Sequence, residues 1–113
     1  MIEVMTIDRS PQQQEQAVAL LAVAADPVRW RLLAELASAG TRCVCDLQPI
    51  GGVAPNVLSY HLRVLREAGL VTPAKRGRWV DYTIADDAHD RIAAALPTGR
   101  TTSAARPDIR SRS

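Results

Sequence analysis

A chain of 113 residues with a formal net charge of +2 has room for one domain and is not a polycation. Its apolar fraction of 47% is ordinary for a globular protein, but aromatics make up only 4% and phenylalanine is absent. A core of Leu, Val, Ile and Ala suits helices better than sheets, and so small a domain gains from extra burial against a second copy.

Residues 1–9 read as a flexible N-terminal arm. Glu3 and Asp8 stand where a secretory signal would carry basic residues, so a cytoplasmic protein with two reduced cysteines is expected. Ser10-Pro11-Gln12-Gln13 has the grammar of a helix start, with Ser as N-cap, Pro in the first turn and Gln at the capping-box position. The helix that follows, to about Ala24, is apolar nearly all round from Ala17 to Ala25. Those nine residues fall short of the roughly 20 needed to cross a bilayer, so no membrane partner is expected. Such a helix needs cover on more than one side, and a second copy of the chain is the expected cover.

Asp26-Pro27 repeats the N-cap and first-turn pattern. Val28, Leu32, Leu33 and Leu36 then recur at helical spacing until Gly40 ends the helix. Trp30 falls near this stripe and is expected in the core. Asp46 is expected to cap a short helix to about Ile50, with Pro49 in its first turn and Gly51-Gly52 making the turn that follows. Pro55 opens another helix, whose buried face is Val57, Leu58, Leu62, Leu65 and Ala68 and whose end is Gly69. Two helices joined by a tight Gly turn describe a helix-turn-helix. Val71 to Lys75 and Arg78 to Ile84 form a hairpin around Arg76-Gly77, with Trp79 and Tyr82 packing it on the helices. A last helix runs from Asp86 or Asp87 to Leu96, with His89, Ile92, Ala93 and Leu96 on its apolar side, and Pro97 stops it. Residues 97–113 are rich in Ser, Thr, Arg and Pro and read as a disordered tail. The fold class is mainly α with a small β-hairpin: a winged helix-turn-helix over residues 10–96.

The segment from Ala54 to Ile84 carries Arg63, Arg66, Lys75, Arg76 and Arg78 against Glu67 and Asp81, a local charge of +3 that a dimer doubles. The N-terminal half of a recognition helix faces base edges, and here it offers Asn56, Ser59 and Tyr60, with Arg63 further along. Asn can pair with adenine in bidentate fashion, Ser can bond to several bases, and Arg63 reaches for phosphate. Lys75, Arg76 and Arg78 at the hairpin tip suit the backbone or an adjacent minor groove. His61 fits a satisfied structural role better than a phosphate contact.

Both cysteines stand in Thr41-Arg42-Cys43-Val44-Cys45-Asp46-Leu47, directly before the helix-turn-helix. Soft thiolates select thiophilic ions, and two of them suit trivalent arsenic or antimony better than zinc, which wants four ligands. Residues i and i+2 point to different sides of a helix but to the same side of an extended segment. Chelation by Cys43 and Cys45 therefore needs this segment extended or unwound. Arg42 and the helix start are expected to lower a thiol pKa. Two alternatives stand beside this reading: small apolar side chains at a helix start, and a redox switch, which the strain of so small a disulfide ring opposes. No phosphate loop, His-rich cluster or nucleophile–base pair supports an enzyme.

Asp26-Pro27-Val28-Arg29-Trp30-Arg31-Leu32-Leu33, Cys43-Val44-Cys45-Asp46-Leu47, Leu58-Ser59-Tyr60-His61-Leu62 with Leu65-Arg66-Glu67-Ala68-Gly69-Leu70-Val71, and Gly77-Arg78-Trp79-Val80 together resemble the ArsR/SmtB family of metal-responsive repressors over roughly residues 15–96. The resemblance implies a homodimer joined by the first and last helices. It also implies a double-stranded operator with two-fold symmetry and DNA release on binding an inducer. Its ligand sites match in part. The cysteine box is present, but Gln48 stands where arsenic-sensing members have a third cysteine, and the N-terminal arm holds none. For the zinc site of the last helix, Asp86 matches, while Ala88, Gly99 and Thr102 replace the other ligands. Val64 and Ala68 replace the cysteines that some members carry in the recognition helix. The expected function is a repressor with no permanent cofactor, released by As(III) or Sb(III), or less favourably by Cd, Pb, Zn or Ni. One alternative is an ArsR-like regulator whose cysteines answer to another ligand or to redox. The other is a winged-helix protein-interaction module.

Overall fold

The computed structural model describes residues 10–97. The expected arm over residues 1–9 and the tail beyond Pro97 lie outside the described residues. The elements in chain order are α1 (Pro11–Ala24), α2 (Pro27–Ala39), β1 (Thr41–Cys43), α3 (Val44–Gly51), α4 (Pro55–Glu67), β2 (Val71–Arg76), β3 (Trp79–Ile84) and α5 (Ala88–Ala95). They make a winged helix-turn-helix with α3 and α4 as the helix pair and β2–β3 as the wing. Among the described residues no helix is long and apolar enough to cross a membrane.

The first two helices start where their caps stand. The Gln13 N–H donates to Ser10 Oγ at 3.1 Å and the Ser10 N–H to Gln13 Oε1 at 3.0 Å, closing the capping box. The Asp26 carboxylate accepts from the N–H groups of Val28 and Arg29 at 2.9 and 3.1 Å. The core is leucine: Leu32 and Leu36 of α2, Leu47 of α3, Leu58, Leu62 and Leu65 of α4, and Leu70 are fully buried. Each contributes about 1.5–3 kcal/mol, and together they lock α2, α3 and α4 on one another.

Three strands pair, not two. β3 is central, with β2 on one side and β1 on the other, both antiparallel. Thr41 faces Thr83, Arg42 faces Tyr82 and Cys43 faces Asp81. A strand of three residues has no periodicity to show, so only its pairing with β3 reveals it.

Side-chain placement departs from expectation at four points. Val57, expected on the buried face of α4, is 37% exposed, because Leu58, Leu62 and Leu65 set the rotation of that helix. Trp30 is 60% exposed, on a face of α2 shared with the exposed Pro27, Ala34 and Ala37. Leu32, Leu33 and Leu36 turn the other way into the core. Trp79 is 47% exposed although Tyr82 is buried, because the two lie on opposite faces of β3. On α5 the buried residues are Ala88 and Ala95, with Ile92 half-buried between them, while His89, Ala93 and Leu96 are exposed. α1 buries only Ala24 and leaves Val18 65% exposed.

Candidate nucleic-acid interface and thiol pair

α3 reaches α4 through a three-residue turn. Gly52 takes φ +68°, a left-handed conformation that a side chain disfavours. Gly51 is buried at the end of α3, where an added Cβ would lie 3.3 Å from Leu58 Cδ1. The absence of that carbon lets α3 press on α4. The Gln48 amide donates to the Val53 carbonyl across the turn. From α2, Arg31 donates to the carbonyls of Ile50 at 3.3 Å and Gly51 at 2.8 Å, satisfying the open end of α3. From α5, Arg91 donates to the carbonyls of Ala68 and Gly69 just past α4. Neither arginine stands out in the sequence, since both act on backbone carbonyls about 20 residues away in the chain.

Asn56, Ser59, Tyr60 and Arg63 are all exposed and recur at helical spacing on one face of α4. Leu58, His61, Leu62 and Leu65 are buried on the other. Arg63 stands over the Tyr60 ring, 5.6 Å from its centroid, which holds both side chains to that face. His61 fills the structural role expected of it: its Nδ1 accepts from Arg29 Nη1 at 2.9 Å, and Arg29 also donates to the Val23 carbonyl at 2.6 Å.

Lys75, Arg76 and Arg78 are exposed at the wing tip, but they are not equivalent. Arg76 makes a bidentate pair with Asp81, Nε to Oδ2 at 2.8 Å and Nη2 to Oδ1 at 3.0 Å. The pairing holds the Asp81 carboxyl below its usual range and the Arg76 guanidinium above its own. The side chains of Lys75 and Arg78 have no hydrogen-bonding or ionic partner among the described residues.

Cys43 ends β1 and caps α3. Its Sγ accepts the Cys45 N–H at 3.2 Å, so the N-cap is Cys43 and not Asp46, which lies in the first turn. Pro49 falls inside the helix, past the first turn, and has no N–H to offer the Cys45 carbonyl. Cys43 is buried but stands apart from the leucine core, and its register partner is Asp81. Cys45, one residue into α3, is exposed. Arg42 is spent on Glu35 at 2.9 Å. The expected acidification fails at Cys45, whose thiol is pushed up, first by side-chain hydrogen bonding with Cys43, then by desolvation and by the charges of Cys43 and Asp46.

The thiols are therefore adjacent in the chain but differently placed: one is buried as a helix cap, the other exposed on the helix. Among the described residues no three His, Cys, Asp or Glu side chains cluster to hold a metal ion. The donor set is two sulfurs, which suits a thiophilic ion that takes its remaining ligand from outside, and falls short of a zinc cage.

Residues 26–72, from the cap of α2 into β2, match the model of the arsR family of bacterial regulatory proteins. An arsenical resistance operon repressor of Bacillus subtilis (strain 168) is 41% identical over 63 residues, which cover 56% of this chain and 60% of that protein. The chain thus spans less than two thirds of that relative's length. The crystal structure of a possible transcriptional regulator for arsenical resistance is similar with a TM-score of 0.63 and 41% identity, over 67% of this chain and 78% of that one. The AntR antimony-specific transcriptional repressor is similar with a TM-score of 0.64 and 28% identity, over 84% of this chain and 86% of that one.

Proposed function

The chain belongs to the ArsR family, and on that premise we propose that it is a DNA-binding transcriptional repressor, freed from its operator when Cys43 and Cys45 take up a thiophilic ion. As(III) and Sb(III) are the favoured inducers. Two sulfurs suit them, and relatives are named for arsenical resistance and for antimony. The repressor acts as a homodimer on a site of two-fold symmetry. The bare apolar side of α1, with Val18 exposed, is the surface a second copy covers. Asn56, Ser59 and Tyr60 read bases, while Arg63, Lys75 and Arg78 meet phosphate, with Arg76 secondary because Asp81 already matches its charge.

One observation carries the switch: the Cys43 thiol is the cap of α3, and α3 is the helix pressed by Gly51 against Leu58 of the recognition helix. The Cys43 sulfur caps α3 and also hydrogen-bonds with the Cys45 thiol, so joint capture of an ion takes that sulfur from the cap and loosens the first turn of α3. Arsenous acid meets this pair without redox chemistry. Two As–S bonds form, two As–O bonds break, and each thiol proton leaves with a hydroxide as water. The free and loaded proteins then differ at the entrance to the base-reading helix, which is the differential a switch needs. Coupling of about 1–3 kcal/mol, or about 5–150-fold in affinity, is usual for such devices.

The test is equilibrium binding of the reduced full chain to the DNA upstream of its own gene, with and without arsenite. Arsenite is expected to weaken binding, and Cys43→Ser with Cys45→Ser to abolish that response while leaving DNA affinity intact. Binding that arsenite and antimonite leave unchanged overturns thiol sensing. A second reading rests on the same cap: the cysteines serve the start of α3 alone, and the regulator answers to another inducer. Under that reading the double variant loses no response at all.

A further inference from the structure

Resting on the thiol-sensing reading, we propose that ion capture is a helix-to-strand switch: Val44 and Cys45 leave α3 and lengthen β1 along β3, toward the wing tip. The existing register prepares this. β1 stops at the pair Cys43–Asp81, whereas β3 continues through Val80 to Trp79. On the β2 side Val80 and Trp79 are paired with Lys75 and Arg76, and on the β1 side no strand faces them among the described residues. Carried forward by two residues, the same antiparallel register sets Val44 opposite Val80 and Cys45 opposite Trp79.

A strand needs no cap at this point, and its alternation keeps the two thiols together once Cys43 has left the start of α3. Cys43 and Cys45 come to one face of the sheet, the face that carries Asp81, Trp79 and Arg76. Arg76 is paired with Asp81, the register partner of Cys43. The ion would sit toward the tip of the wing, beside the Arg76–Asp81 pair and against the half-exposed Trp79.

The cost of the change is low because the start of α3 is weakly held. Its cap is a sulfur, a poor acceptor, and its Pro49 withholds a hydrogen bond from the Cys45 carbonyl. Val44 is β-branched and prefers a strand. Leu47, fully buried, stays as the anchor where the shortened helix begins. The movement reaches the DNA surface at two places, since it shifts the entrance to α3–α4 and adds a neighbour to the wing strand.

The experiment uses the reduced full chain with Trp30→Phe, which leaves Trp79 as the sole indole, titrated with arsenite alone. Backbone chemical shifts of residues 44–46 are expected to move from helical to extended values, with a cross-strand contact between Cys45 and Trp79 and a change in Trp79 emission. Val44→Pro gives a second arm. Proline suits the first turn of α3, and Cys43 already holds the extended conformation required before it, at φ −66° and ψ 150°. In a lengthened β1 the ring's fixed φ fits poorly, so arsenite binding should weaken by at least about tenfold while operator binding without arsenite persists. If arsenite binds and frees the DNA while residues 44–46 keep helical shifts, this proposal is overturned and thiol sensing stands. If arsenite does not bind Cys43 and Cys45, both fall.

Discussion

Arg91 of α5 and Gly69 hold each other where the recognition helix ends. Arg91 Nη1 donates to the Gly69 carbonyl at 3.0 Å and Nη2 to the Ala68 carbonyl at 2.8 Å. A Cβ on Gly69 would lie 2.8 Å from that same Nη1, and Gly69 has φ +76°. The glycine thus permits both the turn and the approach of the guanidinium, which meets the negative end of the α4 dipole. The last helix and the base-reading helix are joined at this point.

Arg91→Ala should lower stability by about 1–2 kcal/mol in urea denaturation, the loss of two charge-assisted hydrogen bonds at a partly exposed site. Gly69→Ala should match or exceed it, because it combines backbone strain with displacement of Arg91. Arg91→Lys should recover only part, since an ammonium cannot fork onto two carbonyls. A neutral result for Arg91→Ala would show that the clamp carries no stability.

Asp26 should make the start of α2 acid-sensitive. Its carboxyl is held below the ordinary value, first by the hydrogen bond from the Arg29 N–H and further by the Arg29 charge and the Val28 N–H, against desolvation. A depressed carboxylate stabilises above its unfolded pKa of about 4, and that stability is lost as pH falls through the folded value. Asp26→Ala should cost about 1 kcal/mol at neutral pH, and the gap to wild type should close in acid. Asp26→Asn should retain most of the cap without this acid-dependent loss. A gap that stays constant down to strong acid would remove Asp26 from the account.

The two thiols should react differently. Cys45 is exposed and should be alkylated by iodoacetamide before the buried Cys43. Because its thiol is raised, the rate at Cys45 should still climb above about pH 8.5, where a free cysteine is already half ionised. Cys43→Ser should fold and bind DNA, since a hydroxyl caps a helix well, yet lose the arsenite response. Mass mapping of the modified peptide decides the order, and first reaction at Cys43 would contradict the burial pattern.

The wing bases should separate in a salt titration. Lys75→Ala and Arg78→Ala should each weaken binding to all sequences and reduce the slope of log affinity against log salt by about 0.9. Arg76→Ala should change that slope less, because its charge is matched by Asp81. Asn56→Ala should leave the slope alone and relax preference at one base position by about 1–3 kcal/mol. Equal slopes for all three wing variants would mean that Arg76 leaves Asp81 when DNA arrives.

Local chemistry was legible in the chain itself. Ser10 and Asp26 announced their helices, because a cap and its amides lie within three residues of one another. The leucine spacing marked the buried sides of α2 and α4, and Gly77 marked the wing turn. Cys43-Val44-Cys45 was legible as two thiols beside the helix pair, and Asn56, Ser59, Tyr60 and Arg63 as one face of α4.

What the chain could not show was anything that depends on which distant elements meet. β1 exists because β3 offers it an edge, and that edge makes Cys43 the neighbour of Asp81. Arg31 and Arg91 find carbonyls about 20 residues away, and Arg76 finds Asp81 only once the hairpin has closed. Trp30 lies outside because the rotation of α2 is set by Leu32, Leu33 and Leu36 together, against which one indole is outweighed. Helix starts, turns and donor types are decided over a few bonds, so the order of residues determines them. Strand register, helix rotation and the pairing of long charged side chains are decided by packing across the whole core, and only the tertiary structure resolves them.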